Sequence, residues 1–169
     1  MSSFPISEPS VTVPPGWHNR VISLRRTFEA PPARVYRAWS DPVELARWFA
    51  PRVEGSLAVG ARSDLIWHDR RVRVEVLEAE PDEHVRFRWF WLPDDGYVTQ
   101  VEVRIQPRGY GSTLTLTDGP FDLAQPRVLD AYAGALEGWG EALAGLRAYL
   151  DFTVDIRPVP APGASSSSR

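Results

Sequence analysis

The tryptophans are the side chains of this sequence with the clearest chemical meaning. The chain has seven of them among 169 residues, and each indole joins a large apolar surface to one N–H donor. So many bulky rings are difficult to pack into one core without voids, and they therefore favour a concave apolar pocket for a small ligand. A filled core with some exposed indoles is the alternative. We expect the pocket to be lined by Trp39, Trp48, Trp67, Trp89, Tyr132 and Trp139, with Trp91 as a further candidate.

Residues for catalysis are harder to find. The three histidines, His18, His68 and His84, have no metal-ligand spacing, and the chain carries no nucleophile elbow, phosphate loop or dinucleotide fingerprint. His68 and Asp69 resemble a base with its orienting carboxylate, but neighbouring strand residues point to opposite faces. We therefore predict no catalytic residue, no metal and no cofactor. A cyclase or isomerase that uses Asp64, His68 or Glu75 as its base is an alternative hypothesis.

Four arginines, Arg71, Arg73, Arg86 and Arg88, alternate along two predicted strands. A solvated sheet face explains them most simply, and a surface for an acidic protein partner or ligand carboxylate is the sharper interpretation.

Composition excludes several classes of protein. Hydrophobic residues make up 43% of the chain, charged residues 24%, and the net charge is −3, so neither a membrane span nor nucleic-acid binding is indicated. Cysteine is absent, which excludes disulfides, thiolate metal sites and cysteine nucleophiles. The first sixteen residues have no basic region followed by an apolar run, so we expect no signal peptide and a cytoplasmic location.

Prolines and serines mark both ends of the chain. We expect a flexible tail over residues 1–19, one folded domain over residues 20–157 and a disordered tail over residues 158–169.

The domain begins with a predicted strand over residues 21–28, followed by two short helices. Pro32 suits a first helical turn, and Val35 and Trp39 share one face of that helix. Asp41 is placed to cap the second helix, with Pro42 at its first position.

Apolar residues then alternate with polar ones over residues 64–67, 72–79, 85–91, 97–105 and 113–117, with turn residues between them. Short connections predict an antiparallel meander in which each strand turns one apolar face to a common core.

A helix over residues 123–150 ends the domain. Its stripe of Tyr132, Leu136, Trp139, Leu143, Leu146 and Leu150 must pack on the sheet. Gly134, Gly138, Gly140 and Gly145 interrupt this helix, either for close packing or a kink, or to leave room for a ligand. The fold class is therefore α+β.

Several motifs resemble the activator of heat shock protein 90 ATPase-like branch of the START/polyketide cyclase (SRPBCC) superfamily. They are Phe28-Glu-Ala-Pro-Pro-Ala-Arg-Val-Tyr-Arg-Ala-Trp with Asp41-Pro-Val-Glu-Leu-Ala-Arg-Trp, Val76-Leu-Glu-Ala-Glu-Pro before Val85-Arg-Phe-Arg-Trp, Gly111-Ser-Thr-Leu-Thr-Leu-Thr, and Gly138-Trp leading into Leu143, Leu146 and Tyr149-Leu. The sequence departs from the family at the turn after Trp67 and at Asp118, where histidine is more common.

This resemblance implies the helix-grip fold, a curved antiparallel sheet wrapped around a long C-terminal helix with a cavity between them. It also implies that fold alone does not choose a reaction, because the superfamily includes cyclases, isomerases and lipid carriers. We predict binding of a small hydrophobic molecule in that cavity. The alternatives are a regulatory domain that binds a chaperone or other protein and, as above, a cyclase or isomerase. A homodimer is a further prediction, because an exposed strand edge invites pairing.

Overall fold

The computed structural model describes residues 17–92 and 97–159. The predicted tails fall mostly outside this range, on residues 1–16 and 160–169. A short 3-10 turn, Trp17–Asn19, precedes the first strand, and the Leu123 amide donates a hydrogen bond to the Trp17 carbonyl.

Seven antiparallel strands form one sheet in the order β1-β7-β6-β5-β4-β3-β2. In chain order they are β1 (Arg20–Phe28), β2 (Arg52–Gly55), β3 (Arg62–Ile66), β4 (Arg71–Glu80), β5 (His84–Leu92), β6 (Tyr97–Arg108) and β7 (Gly111–Phe121). The helices are α1 (Pro32–Ser40), α2 (Pro42–Trp48) and α3 (Pro126–Phe152). The predicted helix-grip architecture, with two short helices after the first strand, is confirmed.

Alternation of apolar residues places the inner face of the sheet as predicted. Val72, Val74 and Val76 are buried on β4, and Val101 and Val103 are buried on β6. The two short helices also start as predicted, since the Asp41 carboxylate accepts hydrogen bonds from the backbone amides of Val43 and Glu44 at the beginning of α2.

The main differences from the predictions are one strand that was not predicted and the boundaries of two other elements. Strand β2 was not predicted, because its four residues contain one apolar side chain, Val53, and the strand forms only through pairing with β3. Strand β7 continues past Thr117, since Gly119 pairs with Gln100 and Phe121 with Arg20 although Asp118-Gly119-Pro120 has the composition of a turn. Helix α3 begins at Pro126 rather than Leu123 because proline fits a first helical turn.

The helices divide the inner face of the sheet between them. Helix α3 packs against β1, β7 and α2, whereas α1 packs against β5, β6 and β7. On α3, Trp139, Leu143 and Leu146 are buried as predicted, but Leu136 is 38% exposed and the small Ala135 occupies the buried position instead. Aromatic rings occupy the zone where the helices and the sheet meet.

Candidate functional site

A continuous set of rings, here called the aromatic cluster, connects α1, α2, α3 and β5. Its centre is tightly packed: ring centroids lie 4.9 Å apart for Trp39 and Trp48 and 5.1 Å apart for Trp89 and Trp139. These separations and their edge-on geometries are those favoured by aromatic pairs. The cluster consists of Trp39, Trp48, Phe49, Trp67, Trp89, Trp91 and Trp139.

Phe49 is the hub of the cluster. It follows α2 directly, and its half-buried ring stacks on Trp139 at 5.6 Å and meets Trp67 edge-on at 5.1 Å. Phe49 was not among the predicted site residues. Its position beside Trp48 was the one available signal.

An open cleft, here called the aromatic cleft, lies between β5 and α3. Its free space is about 270 Å³, counted out to the mouth. Small residues of α3 form one wall and aromatic rings form the other. Over residues 17–92 and 97–159, Arg70 from the β3–β4 turn is the one charged residue that lines the cleft. The lining residues are Phe49, Arg70, Trp89, Trp91, Gly134, Ala135, Gly138 and Trp139.

Two of the helical glycines create this cleft. A Cβ atom built at Gly134 or Gly138 would meet no heavy atom within 4 Å, and both residues line the cleft one helical turn apart. A Cβ atom at Gly140 would also meet open space, but Gly140 does not line the cleft. A Cβ atom at Gly145 would lie 3.7 Å from the Trp48 carbonyl oxygen, which is an ordinary contact distance. Close packing therefore fits Gly145 alone, and at Gly134 and Gly138 the missing side chains leave room beside the rings.

A second space, here called the apolar cavity, lies under the short helices rather than beside α3. Its free space, counted out to the mouth, is about 420 Å³. Phe49 lines both spaces and stands between them. The other lining residues are Trp39, Ser40, Leu45, Leu57, Leu65, Val74, Val76, Ala79, Val85 and Phe87.

The six predicted site residues divide between these spaces and the core. Trp89 and Trp139 line the aromatic cleft, and Trp39 lines the apolar cavity. The other three line neither space: Trp48 is buried with its Nε1–H donating to the Ala38 carbonyl at 2.9 Å, and Tyr132 packs edge-on against Phe121. Trp67 carries the Arg70 guanidinium over its ring, 4.7 Å from the centroid.

Two indole donors that border these spaces have no acceptor. Among the described residues, the Nε1–H groups of Trp39 and Trp89 are buried and lack a hydrogen-bond partner. A buried donor without an acceptor costs free energy. Trp39 lines the apolar cavity and Trp89 lines the aromatic cleft.

A buried carboxylate supports the cleft from behind. Asp118 on β7 is fully buried, and its Oδ2 accepts a hydrogen bond from Trp139 Nε1 at 2.8 Å. Burial raises the pKa of Asp118 to about 6, although hydrogen bonds from Thr99 and Trp139 act in the opposite direction. Thr99 in turn accepts the Nε1–H of Trp91 at 2.9 Å, so two indoles of the cleft are held by one polar network.

None of the carboxylates and histidine considered as bases lines either space. Asp64 receives hydrogen bonds from Arg71 and Arg73 on the outer sheet face, and Glu75 receives one from Arg88. His68 is exposed in the β3–β4 turn. The position of these three residues therefore does not support the cyclase or isomerase hypothesis.

The four arginines of the outer face all have acidic neighbours within the sheet. Arg71 and Arg73 share Asp64, Arg88 pairs with Glu75, and Arg86 pairs with Glu78. This arrangement supports the simpler interpretation, a solvated face whose charges are matched across strands.

Over residues 17–92 and 97–159, no group of three or more histidine, cysteine, aspartate or glutamate side chains is arranged to hold a metal ion. None of the helices in that part of the chain is long and apolar enough to cross a membrane.

Comparison with known proteins identifies a family and a fold. The sequence profile described as "Activator of Hsp90 ATPase homolog 1-like protein" matches residues 29–151. A comparison with curated proteins returns no match.

Solved structures with this fold include proteins from several bacteria. The crystal structure of protein MLL2253 from Mesorhizobium loti is 26% identical, covers 80% of this chain and 99% of its own, and superposes with a TM-score of 0.69. The solution structure of CalU16 from Micromonospora echinospora is 25% identical, covers 87% of this chain and 74% of its own, with a TM-score of 0.65. The Aha1 dimer from Colwellia psychrerythraea is 17% identical, covers 79% and 97%, and has a TM-score of 0.70, which supports the fold alone.

Proposed function

The chain belongs to the Activator of Hsp90 ATPase homolog 1-like family, and on that basis we propose that it binds a small hydrophobic ligand in the aromatic cleft between the sheet and α3. The apolar cavity behind Phe49 extends this site toward α1 and α2. Trp89 and Trp139 contact the ligand in the cleft, and Trp39 contacts its apolar extension.

The observation that carries the proposal is the open helical wall at Gly134 and Gly138. Each glycine in a helix interior costs about 1 kcal/mol relative to alanine, and no neighbouring atom of the described residues requires glycine at either position. A helix face that gives up stability beside the partly exposed rings of Phe49 and Trp91 is understandable when a ligand covers those rings.

Gly138→Leu tests the proposal because its side chain enters the cleft. Gly140→Leu is the matched control, since its Cβ also meets open space but Gly140 does not line the cleft. We expect native mass spectrometry with a panel of lipophilic metabolites to show retained ligands in the wild type and in Gly140→Leu. Retention should fall at least about tenfold in Gly138→Leu, because the leucine side chain fills the volume that the ligand would occupy.

Thermal unfolding provides the second measurement. A bound ligand stabilises the folded state by RT ln(1 + [L]/Kd), so the melting temperature rises with ligand concentration. If no apolar compound is retained by the wild type or stabilises it, the binding proposal is wrong. Equal retention by both leucine variants places the ligand outside the cleft and also contradicts the proposal.

A second function, regulation of a chaperone or other protein partner, is favoured by the family description. Such a partner would contact the charged outer sheet face. Reversing the charge of Arg86 and Arg88 tests it, because both are partly exposed there. Loss of a co-purified partner is the expected result, and an unchanged pull-down contradicts this function. A homodimer and a cytoplasmic location stay predictions.

A further inference from the structure

We infer that the ligand of the aromatic cleft is an aromatic molecule that carries an anionic oxygen group, such as a carboxylate, and that Arg70 recognises that group. This inference rests on the proposed function and specifies the chemistry of the ligand at the same site.

The walls of the cleft indicate that the ligand contains an aromatic ring. Phe49, Trp89, Trp91 and Trp139 supply aromatic surface, and the opposite wall is formed by Gly134, Ala135 and Gly138. Aromatic ligands gain dispersion and quadrupole contacts against such rings that aliphatic chains do not match.

The anionic group follows from Arg70. Among the described residues it is the only charged one in the lining, and none of their carboxylates lies within 4.0 Å of its guanidinium, in contrast to the four arginines of the outer face. Trp67 lies beneath the guanidinium at 4.7 Å, which fixes its position at the mouth of the cleft. A guanidinium held in this way presents several donors to carboxylate oxygens.

The unpartnered N–H of Trp89 points to the same chemistry. This donor belongs to a residue that lines the cleft, and it finds no acceptor among the described residues. A ligand oxygen that reached this N–H would remove the cost of the buried donor, whereas a pure hydrocarbon would leave that cost in place.

The experiment compares two probes of nearly equal shape, 2-naphthoate and its neutral isostere 2-naphthamide, titrated into the full chain by calorimetry at neutral pH. The wild type should bind naphthoate about fivefold more tightly than naphthamide, the upper range for a partly exposed ion pair. Raising the salt concentration should reduce that preference.

Arg70→Gln removes the charge, and Arg108→Gln makes the same change in net charge at the far end of β6, on its hairpin with β7. We expect Arg70→Gln to bind both probes with equal affinity and Arg108→Gln to retain the preference. Both arginines are exposed, and thermal unfolding checks that both variants are folded.

The possible outcomes distinguish a failure of this inference from a failure of the proposed function. If both probes bind the wild type equally, or if Arg70→Gln retains the preference, the role of Arg70 and the anionic ligand are wrong while the cleft remains a binding site. If neither probe binds the wild type, the proposed function and this inference fail together.

Discussion

The indole of Trp139 donates its Nε1–H to Asp118 Oδ2 at 2.8 Å, which joins the middle of α3 to strand β7 behind the aromatic cleft. Both residues are buried. Trp139 thus lines the cleft while its indole N–H is anchored to the sheet.

This carboxyl should make the fold less stable as pH rises. Burial raises the pKa of Asp118 to about 6, whereas an aspartate in the unfolded chain has a pKa near 3.9, so the folded state binds the proton more tightly. Stability from this group is present below about pH 4 and is lost between about pH 4 and pH 6 as the carboxyl ionises. Denaturant unfolding at a series of pH values measures this loss.

Asp118→Asn should remove that loss. An asparagine oxygen can still accept the Trp139 N–H without a charge, so we expect a gain of about 1–2 kcal/mol in the free energy of unfolding at pH 7.5 and no gain at pH 4. Asp130→Asn, an exposed site on α3, serves as the control and should show no such pH-dependent gain. An Asp118→Asn variant that loses stability equally at both pH values would contradict the assignment.

Phe49→Ala should join the aromatic cleft to the apolar cavity, because this ring lines both. Pyrene, with four fused rings, should bind the variant at least about tenfold more tightly than it binds the wild type, measured by its fluorescence. The half-buried ring also packs on five others, so stability should fall by about 2–4 kcal/mol.

Phe90→Ala is the matched control for that experiment. Phe90 follows Trp89 on β5, so its side chain lies on the opposite face of the sheet. Pyrene affinity that rises equally in both alanine variants, or in neither, would show that Phe49 does not separate the two spaces.

Glu44 connects the three helices through a buried carboxylate. It accepts hydrogen bonds from Arg34 of α1 at 2.8 Å and from the Tyr149 hydroxyl of α3 at 2.7 Å. Burial acts to raise the pKa of Glu44, but the hydrogen bonds from Tyr149 and Arg34 outweigh it and leave the pKa below the ordinary value. Stability from this group is therefore present above the unfolded pKa and is lost as pH falls through the folded one.

Tyr149→Phe should destabilise the protein by about 1–2 kcal/mol at pH 7, since one hydrogen bond to a charged group is removed. The difference from the wild type should shrink in acid, where Glu44 is protonated. Tyr110→Phe removes the same hydroxyl from a fully exposed ring on the β6–β7 hairpin and should leave unfolding unchanged. A Tyr149→Phe variant as stable as the wild type would exclude this contact as a tie between α2 and α3.

Sequence periodicity predicted the parts of this fold that depend on local pattern. Val72, Val74 and Val76 share one buried face because strand side chains alternate, and Asp41 caps α2 because its side chain accepts from amides two and three residues ahead. Strand β2 has no such pattern and depends on its neighbour, so it was missed.

The roles of individual rings depend on tertiary packing, which spacing does not encode. Trp48 and Trp89 are equally buried, yet one donates to the Ala38 carbonyl and the other borders the cleft. Asp118 did have a signal, because it continues the inward alternation of Leu114 and Leu116. That signal was obscured by the turn-like composition of Asp118-Gly119-Pro120.

The indole N–H signals of the tryptophans test the central claim most directly, because two-dimensional ¹H–¹⁵N spectra resolve each of the seven separately. Titration with 2-naphthoate should shift the Nε1–H signals of Trp89 and Trp139, which line the cleft, and leave that of the exposed Trp17 in place. Shifts confined to Trp17, or no shift of Trp89 and Trp139 at saturating naphthoate, would contradict ligand binding in the aromatic cleft.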